Sequence, residues 1–322
     1  MPKVSIIIPV YGVESRIERC ARSLFEQSLD DVEYLFIDDC TPDKSMEILK
    51  CVLDEYPNRQ TQVVIHRMEH NSGQAAVRKW GIQNASGDYI IHCDSDDWVD
   101  VDMYKVLYDK AVEEDADVVV CDYYTCHGAR RKYVRACYTT DKVAFMEDIL
   151  FYRSAASLWN KLIRKSLYMS QDLIFPMYSM AEDMTLVTQL LWNCNSITHV
   201  PQALYYYDYN GDSISNNANV AMIEKRFNDS YKNMSLLNKF FIDKHIPRSL
   251  ETAMIFAKNW QRNQLLPLVG IREYYDLWKK TYPEINTQFF IRTGIPIKDK
   301  LRYIIVWMHL YPKLRKYCLG AI

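Results

Sequence analysis

The stretch Gly87-Asp88-Tyr89-Ile90-Ile91-His92-Cys93-Asp94-Ser95-Asp96-Asp97 decides the kind of fold and the kind of site in this chain. A short apolar strand runs directly into three carboxylates spaced D-x-D-D. Like charges at a strand end repel one another, and Asp oxygens suit hard divalent cations such as Mg²⁺, Mn²⁺ and Ca²⁺. Ligands of open α/β sheets bind beyond the carboxyl ends of the strands. We therefore expect a metal-dependent ligand site at this edge of a sheet.

Two other interpretations of the acidic stretch stay open from the residues alone. A solvated acidic turn before a helix would also favour Asp, because the helix dipole stabilises negative charge at its N-terminus. An EF-hand calcium loop beginning at Asp94 fits less well. Val99 falls where that loop needs Gly, and Lys105 falls where it needs Glu.

Length and composition narrow the class of protein. The 322 residues suggest two domains, or one large domain with an appendage. Hydrophobic residues make up 49% and charged residues 25%, which is ordinary for a soluble globular protein. The net charge of −2 gives no overall bias toward nucleic acid. Neither a membrane-spanning apolar run nor a C-x-x-C zinc pattern occurs, so we expect a cytosolic protein with reduced cysteines.

Strands and helices alternate through the first part of the chain. The apolar patterns predict strands at 4–8, 33–37, 62–66, 88–93 and 117–122, with helices between them. This alternation predicts an α/β fold with a mostly parallel sheet flanked by helices. From residue 220 onward the pattern indicates helices only. A polar cluster at 215–218 places a boundary between a catalytic domain, 1–216, and a C-terminal helical region, 217–322.

Several short motifs follow one another in a characteristic order. They are Pro9-Val10-Tyr11, Asp38-Asp39, Asn71-x-Gly73 with Arg78, the D-x-D-D stretch, Trp159-Asn160-Lys161 and Glu182-Asp183. Over roughly the first two-thirds of the chain, this combination resembles the family 2 glycosyltransferases of the bacterial polysaccharide and lipopolysaccharide type. The resemblance implies the GT-A fold, a Rossmann-like sheet that binds nucleotide-sugars.

The resemblance also assigns roles to individual residues. Asp183 would be the catalytic base, and Asp96 together with Asp94 would hold the metal ion. The nucleotide-sugar would contact Pro9, Tyr11, Asp39, Asn71, Arg78, Asp94 and Ser95. Trp159, Lys161, Glu182 and Ser213 would serve the acceptor or a closing loop. Asp39 would accept a hydrogen bond from uracil N3–H, a donor that cytosine lacks, so the implied donor is a UDP-sugar.

Chemistry connects these roles. Displacing a nucleoside diphosphate from an anomeric carbon develops negative charge that a bound Mn²⁺ or Mg²⁺ neutralises. One carboxylate base on the opposite face implies a single displacement, hence inversion. The implied function is metal-dependent transfer of a hexosyl or N-acetylhexosaminyl group to a saccharide or lipid-linked saccharide during cell-surface polysaccharide synthesis. Two alternatives stay open: an inactive nucleotide-sugar-binding scaffold and, with less support, a nucleotidyltransferase. Val10-Tyr11-Gly12-Val13-Glu14 is not the Gly-rich phosphate loop of that last class.

Two segments of the second half raise separate questions. Many members of the family carry an Arg for the pyrophosphate in the segment that corresponds to 205–213, where this chain has neither Arg nor Lys. The metal, Arg78 or Lys161 would then have to compensate. Residues 297–317 mix basic and large apolar side chains with one acid, Asp299. This segment is either a peripheral contact with anionic lipid on the inner face of the plasma membrane, or a helix packed on the catalytic domain.

Overall fold

The structure is a computed structural model that describes residues 2–209, 219–242 and 244–318, with side chains up to residue 314. The strands within these residues are β1 (Val4–Val10), β2 (Val32–Asp38), β3 (Val63–Arg67), β4 (Tyr89–His92), β5 (Trp98–Val99), β6 (Val118–His127), β7 (Arg130–Val134), β8 (Lys161–Arg164) and β9 (Ile197–Asp208). They form one mixed sheet in the order β3-β2-β1-β4-β8-β6-β9-β5, and β7 pairs with β6.

Helices flank the sheet, and the described chain after β9 is also helical. Those of the first part are α1 (Ile17–Phe25), α2 (Ser45–Asp54), α3 (Gln74–Asn84), α4 (Met103–Glu113), α5 (Lys142–Leu150), α6 (Lys165–Tyr168) and α7 (Glu182–Asn193). The later ones are α8 (Val220–Ile242), α9 (Arg248–Arg262), α10 (Arg272–Lys280), α11 (Ile285–Ile291), α12 (Ile297–Trp307) and α13 (Tyr311–Cys318). Short 3₁₀ helices lie at Gln60–Gln62 and Asn263–Leu268.

The first half of the sheet is the parallel unit that the sequence predicts. β1 lies between β2 and β4, and β2 pairs with β3, all in parallel. β1 is almost wholly buried, which explains why its sequence is apolar except for Ser5 rather than alternating. Val10 lies opposite Asp38, and Ile7 lies opposite His92. The segments that follow β1, β2 and β4 therefore begin at one edge of the sheet.

The second half of the sheet is mixed, which the sequence did not indicate. β8 runs antiparallel to both β4 and β6, whereas β9 is parallel to β6. β5 and β7 are antiparallel partners of β9 and β6. The prediction did not assign β5, β7 and β8 as strands. β5 has two residues and β8 four, too few to show a periodic pattern, so pairing with longer neighbours defines them.

The C-terminal helices share a hydrophobic core with the first part of the chain. The Phe151 and Phe256 rings lie 5.0 Å apart, joining α9 to the end of α5. The Trp192 and Phe241 rings lie 5.6 Å apart, joining α8 to α7. The predicted boundary at 216/217 lies outside the described residues and stays a prediction. No helix of the described part of the chain combines the length and apolarity needed to cross a membrane.

Candidate active site

The D-x-D-D loop after β4 is held in place by its fourth residue. Asp97 is 1% exposed, and its carboxylate accepts the Tyr205 hydroxyl at 2.6 Å and the Asp208 N–H at 2.7 Å. The Tyr205 hydroxyl in turn accepts the Asp94 N–H at 3.1 Å. Burial, followed by the charges of Asp96 and Asp94, raises the pKa of Asp97 well above its usual range. Asp97 is therefore an anchor between the loop and the end of β9.

Arg78 is the centre of the site. Its guanidinium is 3% exposed, and Nη2 donates to Asp94 Oδ1 at 2.8 Å. Nη1 donates to Glu182 Oε1 at 3.0 Å and to Asp183 Oδ1. One arginine on α3 thus binds the first Asp of the D-x-D-D stretch and both acids of the Glu182-Asp183 pair. The sequence assigned Arg78 to the nucleotide. The structure places it in this carboxylate cluster, and a direct contact with nucleotide stays a prediction.

Asp183 and Glu182 open α7 directly after Ala181, whose φ of 63° turns the chain sharply into the helix. Burial raises the pKa of Asp183, although Arg78 and Lys161 oppose the shift. Burial, with the neighbouring Asp183 charge, raises the pKa of Glu182 to about 8. Burial thus favours protonation of this acidic pair, and the charge of Arg78 opposes it.

Trp159, Asn160 and Lys161 lie inside the protein. The Trp159 ring stacks on Tyr205 with 4.3 Å between centroids. The Lys161 ammonium donates to the Ala155 and Ser157 carbonyls at 2.9 and 2.8 Å, and to Asn160 Oδ1 at 2.8 Å. Burial lowers the pKa of Lys161 to about 7, and the charge of Asp183 partly opposes this.

These three residues organise the loop before β8. That loop includes Leu158, whose backbone N–H acts to lower the pKa of Asp183. The resemblance gave Trp159 and Lys161 a role at the acceptor, and that role stays a prediction.

Tyr11, Asp39 and Asn71, the residues assigned to the nucleotide, form the nucleotide side of the sheet edge. This side is more exposed to solvent than the cluster around Arg78. Tyr11 follows β1 and is 52% exposed. Asp39 is buried, and its two oxygens accept the Ser72 N–H at 2.7 Å and the Gly73 N–H at 2.9 Å. Each carboxylate oxygen retains a second lone pair for a ligand. Asn71 is exposed beside this anchor.

Gly73 is required where the nucleotide side meets α7. Its φ is +81°, and a Cβ there would lie 2.7 Å from Ser179 Oγ. The remaining predicted contacts fall into three places. Pro9 lies in β1 next to Tyr11, Ser95 is buried in the D-x-D-D loop, and Ser213 lies outside the described residues.

Asp96 is the least restrained acid of the D-x-D-D stretch. Burial, and next the charge of Asp94, raises its pKa to about 6. Within the described residues, no three His, Cys, Asp or Glu side chains form a metal-binding group. Hard cations such as Mg²⁺ often use one or two carboxylates and complete their shell with substrate phosphates and water. Asp96 and Asp94 fit that smaller donor set.

The sequence analysis missed two arginines near Asp96. Arg19 Nη2 donates to the Asp96 carbonyl at 3.0 Å and to Asp208 Oδ2 at 2.6 Å. Arg16 Nε lies 3.7 Å from the same Asp208 oxygen. Arg78 and Lys161 are the expected substitutes for the missing basic residue of 205–213. Arg78 donates to the three acids of its cluster, and Lys161 donates to the Ala155 and Ser157 carbonyls. A contact of either with the diphosphate stays a prediction. α1 supplies cations at this edge instead, and its amphipathic pattern alone gave no signal of that role.

Comparison with known proteins defines the class to which this fold and site belong. The family model of glycosyl transferase family 2 matches residues 5–168. The chain belongs to this family.

Among similar proteins, an uncharacterized glycosyltransferase EpsJ of Bacillus subtilis is 31% identical over 224 residues, which are 67% of this chain and 63% of that protein. The glycosyltransferase GlyA of Streptococcus pneumoniae is 29% identical over 66% of this chain and 31% of its own length. The chain thus spans less than two thirds of each of these relatives.

Solved structures show the same fold at low sequence identity. Residues 1–349 of TarS from S. aureus, in complex with UDP, match with a TM-score of 0.71 at 18% identity, covering 99% of this chain and 90% of that one. The mannosyltransferase PcManGT from Pyrobaculum calidifontis, in complex with GDP-Man and Mn²⁺, matches with a TM-score of 0.56 at 14% identity, covering 99% and 83%. The predicted GT-A fold with a helical C-terminal region is confirmed.

Proposed function

We propose that this protein is an inverting glycosyltransferase that transfers a sugar from a UDP-sugar, with Asp183 as the catalytic base. The observation that carries the proposal is the convergence of Asp94 and Asp183 on the single guanidinium of Arg78. This contact sets the base candidate beside the motif assigned to the donor diphosphate. Such closeness is required if an acceptor hydroxyl is to lose its proton while it attacks the anomeric carbon.

The charge state of the acidic pair supports inversion. Burial and the Asp183 charge raise the pKa of Glu182 to about 8, which favours Asp183 as the ionised acid at the start of α7. That carboxylate, Asp183, accepts the proton of the attacking hydroxyl. Arg78 holds it in position, so its orientation does not depend on the acceptor. A single base and no separate nucleophile give one displacement, which inverts the anomeric centre.

A divalent cation, Mn²⁺ or Mg²⁺, completes the proposed donor site. Asp96 would hold it with Asp94, and Asp97, which is buried against Tyr205 and the Asp208 N–H, anchors the loop. When bound, the ion neutralises negative charge on the leaving diphosphate. Arg16 and Arg19 add positive charge at the same edge, where members of the family use a basic residue after β9.

Uridine selectivity rests on Asp39. Its buried carboxylate is fixed by two backbone N–H groups and keeps acceptor capacity for the N3–H of uracil. The exposed Tyr11 ring lies at the end of β1, where it stacks on the base. The similar TarS structures hold UDP or UDP-GlcNAc, whereas PcManGT holds GDP-Man, so uridine selectivity depends on the residues of this chain.

The proposed acceptor is a saccharide or lipid-linked saccharide of a cell-surface polysaccharide, and the proposed location is the cytoplasm. A relative that supports this acceptor class is the poly(ribitol-phosphate) beta-glucosyltransferase of Bacillus spizizenii, 28% identical over 64% of this chain and 32% of that protein. A cholesterol galactosyltransferase of Borreliella burgdorferi, 29% identical over 63% of this chain and 59% of that protein, shows that sterol acceptors also occur among the relatives.

A nucleotide-release assay tests the proposal. UDP-, GDP- and dTDP-sugars are compared with Mn²⁺, with Mg²⁺ and with excess EDTA, and NMR of the product reports the anomeric configuration. We expect release from a UDP-sugar, inversion, and loss of turnover in EDTA and in Asp96→Asn. Full turnover in EDTA would exclude the metal, and a retained configuration would exclude Asp183 as the sole carboxylate in the reaction.

A further inference from the structure

Helix α12 has two apolar faces. The first is buried: Tyr303 and Val306 are 2% and 1% exposed and belong to the core shared with α9 and α10. The second faces solvent: Ile297, Leu301, Ile304 and Met308 are 78%, 55%, 37% and 61% exposed. At about 100° per residue, these four side chains fall within a sector of about 60°, opposite the buried face. We call them the α12 stripe.

Basic side chains flank the α12 stripe on both sides. On the helical wheel Lys298 and Lys300 fall on opposite flanks of the stripe, and Trp307 falls on the Lys300 side. Lys300 Nζ donates to the carbonyls of Phe290 and Arg292 at 2.7 and 2.8 Å. Ile291 lies between these two carbonyls and is 71% exposed, so it extends the apolar surface beyond α12.

The charge of this part of the chain differs from the rest. Residues 291–318 contain seven Lys or Arg and one acid, whereas the whole chain has a net charge of −2. The acid, Asp299, is 7% exposed and lies on the buried face. Residues 291–318 are therefore net positive, whereas the rest of the chain is net negative.

We propose that the α12 stripe and its basic flanks form a docking surface for an anionic lipid bilayer. Exposed apolar side chains enter the boundary between headgroups and acyl chains, Trp307 suits the interface, and the lysines remain at the anionic headgroups. The contact is peripheral, because no helix of the described residues is suited to cross a bilayer. This inference goes beyond the proposed function and does not depend on the donor or on Asp183.

The charge also favours a bilayer over a second copy of the chain. A symmetric pair would place a surface flanked by lysines against an identical surface, so like charges would face one another. Anionic headgroups attract the same lysines. Residues 297–317 were expected either to contact lipid or to pack on the catalytic domain. The proposal combines both, since one face of α12 packs on the protein and the other is left for lipid.

Co-sedimentation of the full chain with vesicles tests the proposal. Phosphatidylcholine vesicles are compared with vesicles that also contain phosphatidylglycerol, at low and high salt. We expect pelleting with the anionic vesicles at low salt. Leu301→Gln/Ile304→Gln should weaken binding by about tenfold or more, because binding scales with the inserted apolar area. Lys298→Gln should weaken binding by roughly fivefold and reduce its dependence on salt.

Val112→Gln/Met169→Gln is the matched control. These two apolar side chains are 57% and 50% exposed and line a separate depression on the catalytic part. The control should pellet like the unmodified chain. Equal pelleting of the Leu301/Ile304 variant, or none by the unmodified chain, overturns the proposal. Sedimentation velocity without lipid adds a further check: a dimer that becomes a monomer in that variant assigns the stripe to a second copy instead. Nucleotide release from a UDP-sugar should be unchanged in all three variants.

Discussion

The carboxylate cluster around Arg78 and the nucleotide side of the same sheet edge differ in how many of their polar groups are already paired within the protein. In the cluster, three acids share one buried guanidinium. On the nucleotide side, Tyr11 and Asn71 are exposed, and Asp39 is anchored yet keeps free lone pairs. The comparison indicates a division of roles: the cluster holds the reacting groups in fixed positions, and the nucleotide side keeps capacity for a ligand.

The strongest test of this division is Asp183→Asn. If Asp183 is the base, kcat should fall by about 10²–10⁴-fold, the usual contribution of general base catalysis. UDP affinity, measured by calorimetry, should change little, because Asp183 belongs to the cluster. Glu182→Gln is the matched control, since glutamine resembles the protonated acid, and it should keep most of the activity. A variant that loses UDP binding with its turnover would move Asp183 to the nucleotide side.

Arg78→Met tests whether the cluster holds the fold as well as the reaction. The substitution leaves three acids without their buried cation, and breaking a buried ion pair typically costs about 3–5 kcal/mol. We expect a loss of that order in the free energy of unfolding, measured with denaturant at neutral pH. Arg22→Met is the control, because Arg22 pairs with Glu18 and Glu55 at the surface, and exposed pairs of this kind add little to stability. Equal losses in both variants would mean that the cluster is no more structural than the surface pair.

Asp39→Ala sharpens the nucleotide side of the comparison. Leaving the uracil N3–H unpaired should weaken UDP binding by about 1–3 kcal/mol. The same change also frees the Ser72 and Gly73 N–H groups, which would weaken every nucleotide alike. Calorimetry with both UDP and CDP separates the effects, because recognition predicts a loss confined to UDP. Parallel losses would leave Asp39 with an anchoring role only, and equal affinity of the unmodified chain for UDP and CDP would refute uridine selectivity.

Glu182→Gln is expected to change the free energy of unfolding least at neutral pH. The informative measurement is how that free energy depends on pH. The folded pKa of Glu182, about 8, lies above its usual value of 4.5. The folded state therefore binds the proton more tightly, and this contribution to stability is lost as pH rises from about 4.5 to 8. Thermal unfolding should show a decline over that window, which Glu182→Gln reduces. Glu55→Gln is the control, because Arg22 lowers the pKa of Glu55, and its contribution is lost only in acid.

Much of the fold was predictable because its signals are local. The parallel strands β1, β2 and β4 are mostly apolar, and Asp39 and Asp94 lie one and two residues after the ends of β2 and β4. The carboxyl ends of parallel strands meet at one edge, so the placement of Asp39 and Asp94 follows from strand order alone. The motif order also led to the family, which the family model confirms.

The sequence by itself determined the α/β class, the edge that carries the site and the acids of the D-x-D-D stretch. Tertiary structure alone decided which partners those acids have. Arg78 meets Asp183 across 105 residues, and Arg19 meets Asp208 across 189. It also turned Trp159 and Lys161 inward, and it left one apolar face of α12 uncovered. Periodicity reports which face of an element is apolar, but the partner of a charge or of an apolar face is set by how elements distant in sequence pack.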